Sequence, residues 1–255
     1  MFKIYKIIIF LILISLPFST NAHVQHYDDL KRIEFDIYRN TKKIGKHIFS
    51  FNKTNAQLEV ESEINFKIKK FGIVLYKYHV KGTEVYKDGE LVKFNSKTNQ
   101  NGKEKYVNMK LKNGEHVIDG SSYQGKVPID YLLGTWWNHS IVKAKAQISA
   151  VSGRIIKQKV TYLGKETLSF GEKSYDTLHY NFSSTDKKLS KDKKLNTDVW
   201  YDEETLNWIA ASFKKKGKWK FALIRPPIIR GNFNLNSFKG GVRVPTRLAQ
   251  GDPPR

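Results

Sequence analysis

Cysteine is absent from all 255 residues. That absence excludes disulfides, thiolate zinc sites, thiol redox chemistry, cysteine nucleophiles and the lipid-modified cysteine that tethers bacterial lipoproteins. A phosphate-cradling glycine loop, a nucleophile elbow and a His-Glu-x-x-His zinc motif are missing as well, so no cofactor is implied. Arginine is scarce: of 45 basic residues only eight are arginine. Readers of nucleic acid lean on arginine for paired contacts with bases and phosphates, and nucleic acid is not an expected partner. Long apolar runs are limited to Ile7–Phe18, interrupted by Ser15 and Pro17. This run is shorter than the ~20 residues that span a bilayer.

Lys3 and Lys6 precede that run, and Thr20-Asn21-Ala22 follows it with a small residue last. The layout is that of a secretory signal peptide over 1–22. After cleavage no transmembrane anchor is expected, and a periplasmic or secreted chain begins at His23. Export suits a cysteine-free chain long enough to build its own core. The formal charge is +21, two of which leave with Lys3 and Lys6. A lipid headgroup or another anionic envelope component is the kind of partner such charge faces, although general solubility accounts for it equally well. Oligomeric state is left open.

Period-two alternation dominates the rest. Along Gln57–Lys69, Leu58, Val60, Ile64, Phe66 and Ile68 alternate with Glu59, Glu61, Glu63, Asn65, Lys67 and Lys69, as in a strand with one face on a core. Strands continue through Ile73–Tyr86, Leu91–Thr98 and Tyr106–Leu111, separated by Asp88-Gly89, Asn101-Gly102 and Asn113-Gly114. These dipeptides tolerate the positive φ of a two-residue hairpin loop. Upstream, Arg32–Tyr38 and Ile44–Phe51 form another pair, with Gly45 allowing a bulge or a close backbone approach.

After Ile118 the alternation loosens, and Gly120–Pro128 reads as a long loop. Ile129, Leu132, Leu133, Trp136, Trp137 and Ile141 recur at three and four, which predicts a short helical segment within 129–146. Strands resume over 147–151, 154–164, 166–170, 173–183, 197–201, 207–213 and 219–224. Thr185–Asn196, with five lysines and two aspartates, is a solvated loop. Residues 225–255 hold five of the seven prolines and five of the eight arginines. They are expected to be disordered, and so abrupt a change of composition is also what a different reading frame would give. The expected organisation is a signal peptide (1–22), a flexible leader (23–30), one β domain (31–224) and a tail.

Three constellations bear on chemistry. His23, as a free amino terminus, is half of a copper-chelating histidine brace that His47, His79, His116, His139 or His179 would complete; a free polar terminus is the simpler reading. Asp198, Asp202, Glu203 and Glu204 surround Trp200-Tyr201, but acidic residues are at home in a tight turn without catalytic reason, and no catalytic or metal residue is assigned. The third is aromatic. Tyr76, Tyr78, Trp136 and Trp137 are the candidate ligand-binding residues, because adjacent tryptophans on a segment that interrupts the sheet suit the wall of a concavity.

The order Phe35-Asp36-Ile37-Tyr38, Lys43-Ile44-Gly45-Lys46-His47, Tyr76-Lys77-Tyr78, Glu84, Asp88-Gly89-Glu90-Leu91, Thr98-Asn99, Asn101-Gly102 and Asp198-Val199-Trp200-Tyr201-Asp202 resembles the bacterial domain of unknown function numbered six-one-three-four. The resemblance covers residues 30–224 and implies an exported β-rich protein with no assigned activity. More distantly, the chain is similar to curved-sheet envelope proteins, including carriers that shelter acyl chains in a half-barrel; such an analogy does not transfer function. The expected fold is all-β, an antiparallel meander curled into a half-barrel or open barrel with one short helical segment. The leading functional expectation is a non-enzymatic envelope protein that binds an amphiphilic or hydrophobic ligand. A secreted hydrolase or copper enzyme acting on polysaccharide, and a purely structural protein, are the alternatives.

Overall fold

The computed structural model describes residues 27–229 except 28, 55, 56, 171, 191, 192, 216 and 225–227. The expected signal peptide, His23 and most of the tail lie outside the described residues.

Seven hairpin strands open the fold: β1 (Leu30–Arg39), β2 (Lys42–Thr54), β3 (Gln57–Lys70), β4 (Ile73–Lys87), β5 (Glu90–Gln100), β6 (Lys103–Lys112) and β7 (Glu115–Gly120). Next come β8 (Tyr123–Pro128), β9 (Leu132–Leu133), a 3₁₀ turn at His139–Lys143 and β10 (Ala146–Ile148). The last six are β11 (Ile155–Phe170), β12 (Lys173–Ser184), β13 (Asn196–Asp202), β14 (Trp208–Lys214), β15 (Lys218–Leu223) and β16 (Ile228–Ile229). They form one sheet in the order β8-β7-β6-β5-β4-β3-β2-β1-β15-β14-β13-β12-β11-β10-β9, with β16 on β1. Pairing is antiparallel except between β9 and β10.

The turns behave as their residues dictate. Asp88, Asn101 and Asn113 each adopt positive φ, as do the glycines that follow them, the geometry of a tight hairpin turn. Gly45 serves both purposes expected of it. It stands opposite Ile37 beside a register shift between β1 and β2, and a Cβ there would sit 2.1 Å from the Asn65 carbonyl oxygen.

The sheet curls without closing. Its end strands, β8 and β9, are consecutive in the chain, so the gap between them is a seam. The loop between β10 and β11 crosses it: the Ser152 carbonyl accepts from the Ser122 amide at 2.8 Å, and the Ala150 carbonyl accepts from Ser96 Oγ at 2.6 Å. Gly120 lies beneath this loop, where a Cβ would meet the Ser152 oxygen at 2.8 Å.

The concave face is filled by rings. Phe35 packs on Trp208 at 4.0 Å between centroids, and Trp208 contacts Phe49 and Phe221 at 6.1 and 6.0 Å. β1 is buried on both faces, because Asp36, opposite Ala222 on the other side of the sheet, is buried too.

Four details differ from the sequence reading. Gly120–Pro128 is mostly strand, β8, an edge strand that turns only Tyr123 and Val127 towards the core, too few to show an apolar alternation. The helical segment is confined to the 3₁₀ turn, capped by Asn138 through the Ser140 amide; the three-and-four spacing before it comes from a short strand and an irregular stretch. The leader is not wholly free: Tyr27 is buried, donating to the Leu206 carbonyl and accepting from the His139 amide. Of the tail, Ile228 and Ile229 pair with Arg32 and Leu30 of β1.

Candidate functional site

The β2–β3 ladder ends at Gly45 opposite Phe66. Beyond that pair the two strands part, and an open cleft of about 590 Å³ lies between them. Ile44, Phe66 and Ile68 supply its apolar lining, and Arg39, Lys42, Lys43, Lys67 and Lys69 surround it. Asn40 and Asn65 are its uncharged polar members. Lys43 is partly neutralised, its Nζ lying 2.6 Å from Asp36 Oδ2.

The four aromatic candidates fall in two places. Tyr78 and Tyr76 stack on Phe66 at 4.9 and 6.1 Å, directly behind the cleft. Burial pushes the Tyr78 phenol above its usual range, with neighbouring Tyr76 adding to the effect. Trp137, 0% exposed, is enclosed elsewhere by Tyr27, Phe51 and Tyr86 at 5.2, 5.2 and 5.6 Å. Trp136 crosses Trp208 edge-on at 5.8 Å. Its φ is +62°, strained for a bulky residue, and its buried Nε1 has no hydrogen-bond partner among the described residues. A chain of rings from Phe66 through Trp219, Phe213, Phe221 and Trp208 connects the tyrosines to Trp136.

Behind Trp137 lies Glu84, a fully buried carboxyl that accepts from Trp137 Nε1 at 3.0 Å and Tyr86 Oη at 2.6 Å. Burial raises its pKa from 4.5 to about 7, against the opposing pull of hydrogen bonds from Tyr86, Trp137 and Thr135. Between those two values the folded chain holds one proton more than the unfolded chain, so this group's contribution to stability falls as pH rises through the window. The full span is worth about 3 kcal/mol. Glu84→Gln is therefore expected to leave stability near pH 4 almost unchanged and to raise it at pH 8 by about 1–3 kcal/mol. Thermal melts at both pH values check this, and a difference independent of pH contradicts it.

The histidines are scattered. His47 is buried among Phe35, Phe49, Trp208 and Phe221. His79 contacts Glu63 at 2.7 Å, and His116 contacts the Leu91 carbonyl at 3.0 Å. His139 meets the Tyr201 ring edge-on at 4.8 Å. Among the described residues no group of three or more histidine, aspartate or glutamate side chains is placed to hold a metal ion.

The acidic quartet is divided among separate tasks. Asp202 accepts from the Thr205 amide and hydroxyl, holding its turn, and Glu203 pairs with Lys165. Asp198 joins a network that sequence reasoning missed: His179 stacks on Trp200 at 4.3 Å, with Nδ1 2.9 Å from Glu166 Oε1 and Nε2 3.5 Å from Asp198 Oδ1. Burial raises the Asp198 pKa, but bonds from His179 and Asn181 outweigh it and leave the pKa low. Cross-strand pairing of His179 with Trp200 was the available signal, but it requires the register.

Residues 35–224 match the model of a domain of unknown function, DUF6134. The chain belongs to the DUF6134 family. No curated protein matches it. Among solved structures, a β-barrel-like protein of another domain of unknown function, DUF1849, from Brucella abortus is similar at a TM-score of 0.55 and 11% identity. That match covers 77% of this chain and 96% of the Brucella chain. A Bacteroides fragilis protein described as exported, with a YmcC-like fold, aligns at a TM-score of 0.33 and 10% identity, over 77% of this chain and 95% of that one. The Brucella likeness concerns the fold: an uncharacterised family built on a curled, barrel-like sheet. Among the described residues no helix is long and apolar enough to cross a membrane.

Proposed function

We propose that this DUF6134 protein is an exported, non-enzymatic envelope protein that binds an anionic amphiphile in the cleft between β2 and β3. The observation that carries the reading is the cleft's division of labour. Ile44, Phe66 and Ile68 offer an apolar surface to an acyl chain, while Lys42, Lys67 and Lys69 offer positive charge to its headgroup. Its size lies within the usual range for small-molecule sites, which combine an apolar lining with few polar groups. Tyr76 and Tyr78 belong to this site as the rings that hold Phe66 in place. Trp136 and Trp137 stand apart from this site: Trp136 reaches it only through the chain of rings, and Trp137 is enclosed by Tyr27, Phe51 and Tyr86. Export rests on Lys3, Lys6, the apolar run Ile7–Phe18 and the small residue Ala22.

Titration with a fluorescent long-chain fatty acid tests the reading. Saturable binding is expected, weakened about tenfold by the exposed pair Lys67→Glu and Lys69→Glu, since two charge reversals remove attraction and add repulsion. A neutral amphiphile of equal chain length should respond much less to the pair. Absence of saturable binding, or equal binding by the wild type and the charge-reversed variant, contradicts the proposal.

A further inference from the structure

The β3–β4 hairpin projects beyond its neighbours. Pairing of β2 with β3 stops at Phe66, and pairing of β5 with β4 stops at Tyr78 opposite Gln100. Residues 67–76 therefore form a two-stranded blade with no further strand paired to it among the described residues. Its tip is apolar and open to solvent: Phe71 is 91% exposed, Ile73 67%, Leu75 54% and Val74 37%. An exposed run of this kind is uncommon on a protein surface unless something covers it.

The turn itself departs from its sisters. Asp88, Asn101 and Asn113 occupy the first central position of their turns, where φ is positive, and each is polar. Here Phe71 takes that position at φ +49°, followed by Gly72 at +79°. An aromatic residue is poorly suited to left-handed backbone, and local folding gives no reason to place its ring in water. Lysines flank the tip: Lys67, Lys69, Lys70 and Lys77, with Lys70 Nζ 5.5 Å from the Phe71 ring centroid. No acidic residue occurs between Glu63 and Glu84.

The turns beside the blade are rich in lysine as well. Topology places the β1–β2, β5–β6 and β14–β15 turns at the end that carries the blade, and Lys42, Lys43, Lys103, Lys214, Lys215 and Lys218 belong to them. The opposite end mixes the two signs: Asp88, Glu90, Glu115 and Asp202–Glu204 stand there with Lys87, Lys112 and Lys173.

We infer that the β3–β4 hairpin is a membrane-docking element, with Phe71, Ile73 and Leu75 entering the headgroup boundary of an anionic phospholipid bilayer while the surrounding lysines face its phosphates. The combination of an apolar wedge and a basic collar is what interfacial binding requires, since each alone gives weak attachment. A bilayer fits this surface better than a second copy of the chain: the collar of like charges would repel its equivalent, whereas it complements anionic headgroups. The inference goes beyond the cleft reading and does not depend on the cleft being occupied.

Co-sedimentation of the exported chain with vesicles provides the test, using phosphatidylcholine alone and phosphatidylcholine mixed with phosphatidylglycerol. Binding is expected only with the anionic vesicles, weakened by high salt, and reduced about tenfold or more by Phe71→Asn with Ile73→Thr. Phe71→Asn creates an Asn-Gly turn, which favours the same backbone geometry, so the blade should remain folded. Leu163→Ser, an exposed apolar residue outside the blade, serves as the control that keeps wild-type binding. Equal binding to both vesicle types, or full binding by the Phe71 and Ile73 variant, overturns the inference. So does self-association of the wild type that this variant abolishes without any partition into vesicles. Fatty-acid titration of the same variant separates the two claims, because neither Phe71 nor Ile73 lines the cleft.

Discussion

Replacing His47 by leucine should remove a large part of the chain's sensitivity to acid. The imidazole is buried among four aromatic rings, and burial lowers its pKa from 6.5 to about 3. Between those values the unfolded chain binds a proton that the folded chain refuses. Its contribution to stability is therefore present above pH 6.5 and is lost progressively as pH falls towards 3, by about 3 kcal/mol at pH 4. His116, whose pKa is lowered chiefly by burial, acts in the same direction. So does Glu34: burial raises its pKa, but bonds and charge from Lys46 and Arg32 outweigh that and hold it low. Glu84 acts oppositely and softens the decline. Denaturant unfolding at pH 7 and pH 4 should show His47→Leu gaining about 3 kcal/mol relative to the wild type on acidification. Parallel losses in the two proteins would show that His47 is not held neutral.

Trp137→Ala should be among the most damaging single substitutions, costing about 3–5 kcal/mol. It opens a cavity between Tyr27, Phe51 and Tyr86 and takes a donor from the Glu84 carboxylate. Trp137→Phe is milder: it keeps an aromatic ring in most of the space but loses the N–H and part of the indole volume, an expected cost of about 1–3 kcal/mol. The same variant examines the functional proposal. If the ligand occupies the cleft beside Phe66, folded Trp137→Phe binds the fatty acid as the wild type does. Weakened binding by the folded variant would place the ligand at Trp137 instead.

The strands of the first half are legible because their alternation and turn chemistry agree, as Leu58 to Ile68 and Asn101-Gly102 illustrate. Local pattern loses its force where pairing is remote. β8 is an edge strand whose polar residues carry no core signal, and the residues of 129–146 owe their spacing to a short strand, an irregular stretch and a 3₁₀ turn rather than to an α-helix. Tyr27 looks like part of a polar leader until its hydroxyl meets Leu206 and His139.

None of the four aromatic candidates lines the cleft itself. Tyr76 and Tyr78 stand out by their alternation, but the cleft they support arises because β2 and β3 stop pairing at Gly45 and Phe66, and sequence does not give the end of a ladder. The exposed tip was hidden for the same reason. Ile73-Val74-Leu75 reads as strand interior, and only the point at which β5 stops pairing shows that no described strand covers it.

Native mass spectrometry of the protein, purified without detergent and then offered a long-chain fatty acid, tests the cleft most directly. The account predicts an added mass that organic extraction removes, that the fatty acid restores, and that is depleted in the protein carrying Lys67→Glu and Lys69→Glu. A bare mass that stays bare in the presence of the fatty acid would contradict it.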